Sequence, residues 1–262
     1  MRKRVTILMA MTAILSGCQA RSISNSGYPE DASYNAANNN MAYRGEIDDF
    51  ALLVPEDHAP ISDQEIANAL SHHHPVQAEI GKPLLVVQSG AIAPDADMVT
   101  ALQRHFPIIP FNGQPPIGDT AGNRVAAISS GATAPMDGRM TEASASYARR
   151  LRLAAAEGGA DHILVYWGML ETARRNEATA FLSWVPVVGR AIPDQSQEMR
   201  IRLKAALIDT ASGQWRMLTP PAISDGSLSS TLTRHASDQD QVALLKQRGY
   251  GMLAEQLASA AL

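Results

Sequence analysis

Apolar residues recur in short runs whose spacing is typical of β-strands. Residues 83–88 form an apolar run closed by Ser89 and Gly90, and residues 162–170 are apolar on both alternating faces. Both patterns predict strands that are covered on each side. A shorter apolar run at 107–111 predicts another strand, close enough in sequence to the first to form a βαβ-like start.

A different pattern follows in the second half of the chain. In residues 199–209 apolar and charged positions alternate with a period of two over the first part, which predicts a half-buried strand. Turn-forming residues at 209–213 then predict a hairpin with residues 214–218.

Four further segments are predicted to be helices. Ser62 and Glu65 have the spacing of a capping box, which predicts the start of the first helix. The second begins at about residue 94, the third spans 141–157, and the last begins at about residue 238. The expected apolar stripes of the second, third and fourth helices are Met98, Leu102 and Phe106; Tyr147, Leu151 and Ala154; and Val242, Leu245, Gly249, Leu253 and Leu257.

The order of these elements predicts an α/β (α+β) fold, a mixed β-sheet covered by helices. We expect one domain over residues 47–262, because 262 residues suffice for one to two domains and no internal repeat is visible. Residues 112–140 are rich in Gly, Pro, Asn and Asp and predict a long loop, with 125–128 as a small strand within it.

The N-terminus has the three parts of a secretory signal. Arg2, Lys3 and Arg4 precede an apolar stretch from 5 to 15, which is too short to span a membrane. Leu15-Ser16-Gly17-Cys18 resembles the lipobox of bacterial lipoproteins. The resemblance implies a signal peptide at 1–17, cleavage between Gly17 and Cys18, and acylation of Cys18.

Residues 18–46 are predicted to be the lipidated cysteine and a flexible tether. The stretch from 19 to 46 is rich in Ser, Asn, Ala and Gly and poor in branched aliphatic residues, so it cannot bury enough surface to offset its chain entropy. A tether of this length reaches about 30 Å. The domain is therefore expected to float off the bilayer.

Charge and cysteine content exclude nucleic-acid binding by a basic surface and an intrachain disulfide. The chain carries 22 Lys plus Arg and 26 Asp plus Glu. Cleavage before Cys18 would leave 19 cationic against 26 acidic residues, a formal charge of -7. No basic excess exists to bind nucleic acid, and Cys18 is the sole cysteine, so no intrachain disulfide can form.

The anchor also gives an expected location. Acyl chains at Cys18 would hold the protein on a membrane without crossing it. Gln19 stands where an Asp would resemble an inner-membrane retention signal. We therefore expect the outer membrane, with the domain facing the periplasm.

No catalytic, metal or cofactor site is predicted. Three consecutive histidines, His72 to His74, cannot all point at one ion, and metal-ligand spacing is absent. Ser89 and the pair Ser129-Ser130 lack the Gly-x-Ser-x-Gly elbow of a hydrolase. The acid pairs Asp95 with Asp97 and Glu171 with Glu177 are expected to be solvated.

Two segments are candidate interfaces. Arg200, Arg202 and Lys204 recur at period two and predict one basic stripe on the half-buried strand, either paired with acidic cross-strand neighbours or in contact with an anionic envelope partner. Residues 181–192 are apolar but interrupted by proline, which fits either a sheet edge or a protein interface. The candidate interface residues of this second segment are Trp184, Val185, Val187 and Val188.

Several motifs resemble those of bacterial envelope lipoproteins. Residues 159–165 (Gly-Ala-Asp-His-Ile-Leu-Val) and the Asp-x-x-Ser-Gly turn before Trp215 are similar to motifs of the curli-secretion lipoprotein, the activators of penicillin-binding proteins and the Tol-system propeller protein. Residues 183–193 resemble lipoproteins called rhombosortase targets. The long loop at 112–140 departs from this pattern.

This resemblance implies a non-catalytic adaptor with an envelope protein partner, bound to the membrane by its lipid. A homo-oligomeric secretion or pore-associated lipoprotein is the first alternative, and a hydrolase without a recognisable site is the second.

Overall fold

A computed structural model describes residues 19–26, 43–53, 62–115, 137–176, 195–229 and 234–259. Seven strands form one mixed sheet. The strands are β1 (Gln19–Ser22), β2 (Leu84–Gln88), β3 (Ile108–Phe111), β4 (His162–Asn176), β5 (Gln195–Asp209), β6 (Trp215–Leu218) and β7 (Ile223–Ser229). The helices are α1 (Asp49–Leu53), α2 (Asp63–Ser71), α3 (Ala96–Leu102), α4 (Asp137–Glu157) and α5 (Arg234–Ser259), with a short 3₁₀ turn at Ile23–Asn25.

Two 15-residue strands, β4 and β5, form the centre of the sheet. They pair antiparallel along their whole length, from His162 opposite Asp209 to Asn176 opposite Gln195. The strand order is β3-β2-β4-β5-β6, in which β2 runs parallel to both β3 and β4. The predicted α/β fold with a mixed sheet is therefore confirmed.

Each outer edge of this central pair is shared by two short strands placed end to end. On β4, β2 covers His162 to Tyr166, and β1 then covers Met169 to Thr172. On β5, β6 covers one half of the edge and β7 the other. The first half of the sheet has helices on both faces, while the buried side chains of the second half, such as Met199 and Ile201 of β5, share a core cluster with the C-terminal helix on one face.

Helices cover both faces of the first half. Side chains of α3 and α5 pack with Leu84, Val86, Leu164 and Tyr166 on one face. Leu151 and Ala155 of α4 and Leu52 of α1 pack on the other face, against alternate residues of the same strands. Because both faces are covered, β2 is buried throughout, as its apolar run predicts.

The first residues of the stretch predicted as a tether are part of the sheet, while residues 27–42 of that stretch lie outside the described residues. Residues 19–22 form β1, and Ile23, only 4% exposed, packs in the core against the sheet. β1 pairs with the part of the β4 edge that β2 leaves free. Composition did not predict this strand, because backbone pairing needs no apolar side chain.

Other differences concern lengths. The third predicted helix begins at Asp137, inside the segment predicted as a loop, and the last begins at Arg234. The central strands extend six residues past 170 and four before 199, because each supplies the other's backbone partners through polar sequence. The sequence patterns did not indicate β7 or α1. The predicted small strand at 125–128 lies outside the described residues.

No helix among the described residues is both long enough and apolar enough to cross a membrane.

A glycine in β4 makes room for the N-terminal segment. A Cβ built at Gly168 would lie 2.6 Å from Ile23 Cδ1 and 2.8 Å from Leu203 Cδ2. Both neighbours are buried. Gly251 in α5 is the opposite case, since a Cβ there would meet nothing within 4 Å.

We expect Gly168→Ala to lower the free energy of unfolding by about 1–3 kcal/mol through overpacking. The matched substitution Gly251→Ala should raise it by up to about 1 kcal/mol, because alanine restricts the unfolded chain and favours helix. Denaturant unfolding of both variants measures the two effects. Equal effects of the two substitutions would contradict the described packing of Ile23.

Candidate functional site

Open α/β sheets usually bind ligands at the carboxyl ends of their parallel strands. The corresponding place in this chain is the carboxyl end of β2. In this chain it carries a buried polar cluster. Gln88 and Ser89, each 1% exposed, end the strand, and Tyr166 of β4 lies beside them. Tyr166 Oη donates to Gln88 Oε1 at 2.6 Å, and the same oxygen accepts the backbone N–H of Asp95 at 2.7 Å.

An ion pair extends this cluster to α5. Lys246 Nζ lies 2.8 Å from Asp95 Oδ2, and both side chains are largely buried. Tyr250 Oη, one helical turn further on, donates to the same carboxylate. A buried charge is tolerated only when it is paired and hydrogen-bonded, and Asp95 receives both kinds of contact.

The N-terminal segment fills the remaining space at this end of the sheet. Ser24 Oγ accepts from Gln88 Nε2 at 3.1 Å and donates to the carbonyl of Ser89. The backbone N–H of Ile47 donates to Ser89 Oγ at 2.7 Å, and Trp167 Nε1 donates to the carbonyl of Ile47 at 2.8 Å. The chain's own residues therefore occupy the position where a ligand would bind.

A second polar contact joins the two N-terminal pieces. Glu46 accepts hydrogen bonds from Ser22 Oγ and from Tyr43 Oη. Burial raises the pKa of Tyr43 to about 12, and the charge and hydrogen bond of Glu46 add to the shift. Tyr43 consequently remains a neutral hydrogen-bond donor at neutral pH.

These contacts give the cluster a structural role. Ser89 is the one described serine of the three that were considered as nucleophiles and that lack a hydrolase elbow, and its Oγ already accepts a backbone N–H. Asp95, predicted to be solvated, is instead buried against Lys246. The prediction for Asp95 is wrong because α5 covers it, a long-range contact that local spacing does not reveal.

The basic stripe lies on the face of β5 opposite its buried residues Met199, Ile201 and Leu203. Arg200 and Arg202 both contact Glu171 on β4, with Arg202 Nε at 2.9 Å from Glu171 Oε1. Lys204 Nζ lies 2.5 Å from Asp49 Oδ2 and 5.0 Å from the centre of the Trp167 ring. The hydrogen bond from Lys204 lowers the pKa of Asp49 below its ordinary value.

The acidic cross-strand neighbours that the period-two pattern allowed are therefore present. Three cations meet two carboxylates, so most of the stripe's charge is balanced within the fold. Contact of this stripe with an outside partner stays a prediction.

Other predicted site residues are placed as follows. His72 Nδ1 contacts the carbonyl of Asn68 at the exposed end of α2. Within the described ranges, no group of three or more His, Cys, Asp or Glu side chains could hold a metal ion. Several predicted residues lie outside the described part of the chain: Gly17, Cys18, Ser129, Ser130, Glu177, Trp184, Val185, Val187 and Val188.

An open groove of about 1080 Å³ lies between α3, α5 and the connection from β6 to β7. Its lining includes the apolar residues Ile223, Leu244 and Met252. Two acids and two arginines also line it, namely Asp97, Glu255, Arg104 and Arg248. Protein interfaces combine apolar and charged residues in this way.

The sequence patterns predicted neither the groove nor the buried ion pair. One feature of the sequence does indicate the ion pair. Lys246 and Tyr250 are four residues apart in α5, so they lie on the same side of the helix, next to its apolar stripe. The groove has no such signal, because the elements that line it are far apart in the sequence.

Two tyrosines provide a matched test of the buried cluster. Tyr166→Phe leaves Gln88 Oε1 without its hydroxyl donor, which should lower the free energy of unfolding by about 1–3 kcal/mol. Tyr147 Oη is buried and has no hydrogen-bond partner among the described residues, so Tyr147→Phe should change stability little or raise it. Denaturant unfolding at neutral pH measures both. A Tyr166→Phe variant as stable as Tyr147→Phe would contradict the cluster.

The Tyr147 position also has an alkaline readout. Burial raises the pKa of Tyr147 to about 12 from its ordinary value of 10.0. A raised pKa favours the neutral form in the fold, so stability is lost as the unfolded state ionises between these two values. Tyr147→Phe should remove this part of the alkaline loss.

No curated protein matches the chain in sequence. Among solved structures, lipoprotein GNA1162 from Neisseria meningitidis is 15% identical, with a TM-score of 0.26, and the match covers 62% of this chain and 99% of that one. The hypothetical protein CT253 from Chlamydia trachomatis is 10% identical, with a TM-score of 0.28, and the match covers 70% of this chain and 98% of that one.

A family profile described as YafT bacterial lipoprotein matches residues 48–260, which is most of the chain. This match supports the predicted lipoprotein character, and with it the signal peptide and the lipobox. The chain belongs to the YafT family of bacterial lipoproteins.

Proposed function

We propose that this lipoprotein is a non-catalytic adaptor that holds an envelope protein at the membrane. The observation that carries the proposal is the closure of the carboxyl end of β2 by residues 23–24 and 43–47. The segment that follows the anchor thereby becomes part of the fold, and the usual ligand position of an α/β sheet is filled.

The groove between α3 and α5 supports a protein partner. Its volume of about 1080 Å³ lies just above the range of small-molecule pockets, about 300–1,000 Å³, and it is open to solvent. The balanced charges of Asp97, Glu255, Arg104 and Arg248 around apolar residues suit a polypeptide segment that carries both apolar and charged side chains.

The outer membrane is the proposed location of the anchor, on the strength of Gln19 following Cys18. The motif resemblance to secretion and penicillin-binding-protein-activating lipoproteins supports an envelope role of the same kind. Under this proposal the acyl chains supply attachment and the groove supplies recognition.

Site-specific photo-crosslinking in intact cells tests the adaptor proposal. A photoreactive amino acid replaces Met252, which is 38% exposed in the groove, or Leu70, which is 74% exposed on α2 and outside it. We expect a discrete adduct with one envelope protein from position 252 and none from position 70.

Binding of the purified partner completes the test. Arg104→Glu with Arg248→Glu should weaken binding about tenfold or more. The two new acids join Asp97 and Glu255, so that all four charged groups of the groove become negative. The control Lys82→Glu with Arg150→Glu makes the same charge change at exposed positions and should leave binding unchanged. Adducts only between copies of this chain, or turnover of a substrate that a point substitution abolishes, would contradict the adaptor proposal.

A further inference from the structure

The charged residues of the groove have a regular spacing along the two helices that line it. Asp97 of α3 and Arg104, in the turn that directly follows α3, are seven residues apart. Arg248 and Glu255 of α5 are also seven residues apart. We call the first two residues the α3 side of the groove and the last two the α5 side. Seven residues correspond to about two turns of helix, so each side carries one acid and one base separated by two turns.

α3 and α5 lie next to each other and run in the same direction. At the start of α3, Asp95 contacts Lys246 of α5. Just past the end of α3, His105 contacts Glu255, which is further along α5. The start of the α3 side is therefore level with the start of the α5 side, and their ends are level as well.

Each end of the groove thus combines an acid from one helix with a base from the other. Asp97 lies with Arg248 at one end, and Arg104 lies with Glu255 at the other. All four side chains are exposed. Within the part of the chain that the structure describes, Asp97, Arg104 and Arg248 form no ion pair, so their charges are available to a bound segment.

The groove offers few hydrogen-bond partners to the backbone of an extended peptide. α3 and α5 satisfy most of their backbone groups within each helix, and Pro220 and Pro221 have no N–H to donate. A segment that binds here must therefore satisfy its own backbone, as an α-helix does.

The groove also has room for a helix. Gly251 lines it without a side chain, and a Cβ at this position would meet nothing within 4 Å. From Leu244 to Ser259 the lining residues of α5 extend over about 22 Å, the length of a helix of about 15 residues.

We propose that the groove binds an amphipathic α-helix of the envelope partner, with residues of opposite charge about two turns apart on each flank. The flank next to α3 carries a base opposite Asp97 and an acid opposite Arg104. The flank next to α5 carries an acid opposite Arg248 and a base opposite Glu255. This inference rests on the adaptor role proposed above and specifies the class of segment that the groove recognises.

The charge pattern is the same in both directions along the groove. Turning a bound helix end for end exchanges its two flanks as well as its two ends. Because the acid and the base change places between the α3 side and the α5 side, every charge of the turned helix again meets an opposite charge. One peptide therefore tests both orientations.

Two synthetic peptides of about 18 residues test the proposal. The matched peptide has Leu and Ala on its apolar stripe and Lys and Glu on its flanks in the order given above. The inverted peptide exchanges every Lys with Glu and so has the same composition and net charge. Fluorescence anisotropy measures their affinity for the full lipidated protein in detergent micelles, with empty micelles as the blank.

We expect the matched peptide to bind about tenfold or more tightly than the inverted peptide, which places like charges next to each other. A proline at the centre of the matched peptide should abolish binding, because proline breaks a helix but is compatible with an extended chain.

Exchanging the charges on one side of the groove should remove this preference. Asp97→Arg with Arg104→Glu reverses the α3 side and keeps the net charge. Each peptide then meets two opposite and two like charges, so their affinities should become equal. Arg248→Glu with Glu255→Arg should have the same effect from the α5 side, and it provides a second test if the first variant does not fold.

A matched control makes the same kind of exchange outside the groove. Glu79→Lys with Lys82→Glu changes two exposed residues that do not line it, and this variant should keep the preference for the matched peptide. Equal affinity of the unmodified protein for the two peptides would overturn the proposal, as would binding that survives the central proline or the absence of binding by either peptide. A dimer of this chain that dissociates on either charge exchange in the groove would assign the groove to a second copy and would also overturn it.

The crosslinking experiment at position 252 separates this inference from the adaptor proposal. An adduct with an envelope protein at a segment that lacks the helical charge spacing would leave the adaptor role in place and refute the helix. Selective binding of the matched peptide without any adduct in cells would refute the adaptor role and leave the specificity of the groove in place.

Discussion

The pairing of β1 with the free edge of β4 is the contact on which the rest of the account depends. β2 leaves that edge after Tyr166, and β1 takes it up at Met169. Ile23 then enters the core beside Gly168, where a larger residue would collide with it. A few polar residues at the start of the expected tether, held by backbone hydrogen bonds and one apolar side chain, thereby become part of the sheet.

Two consequences follow from this contact. The first is that the carboxyl end of β2 is closed, since Ser24 and Ile47 take the hydrogen bonds that a ligand could otherwise make with Gln88 and Ser89. The second is that the chain is paired to the sheet from Gln19 onward.

Sequence patterns predicted the fold well where local spacing alone specifies an element. The apolar run of β2, the Ser62 and Glu65 capping box and the alternation in β5 each specify one element through local spacing, and the structure contains all three. Sequence patterns did not predict the elements and contacts that depend on backbone pairing or on residues distant in the sequence. β1 and the extension of β4 are polar strands, and Asp95 is buried by Lys246, which is remote in the sequence. For the basic stripe, spacing predicted the shared face, but only the fold identifies Glu171 and Asp49 as its partners.

Amide hydrogen exchange of residues 19–25 in the lipidated protein tests the central claim most directly. The backbone N–H groups of a paired strand exchange only when the strand opens, so peptides from this segment should be strongly protected in detergent solution. Gly168→Ala should weaken that protection, because it displaces Ile23. Exchange of residues 19–25 at the rate of an unstructured chain would contradict the account, since the anchor would then be joined to the domain by a tether.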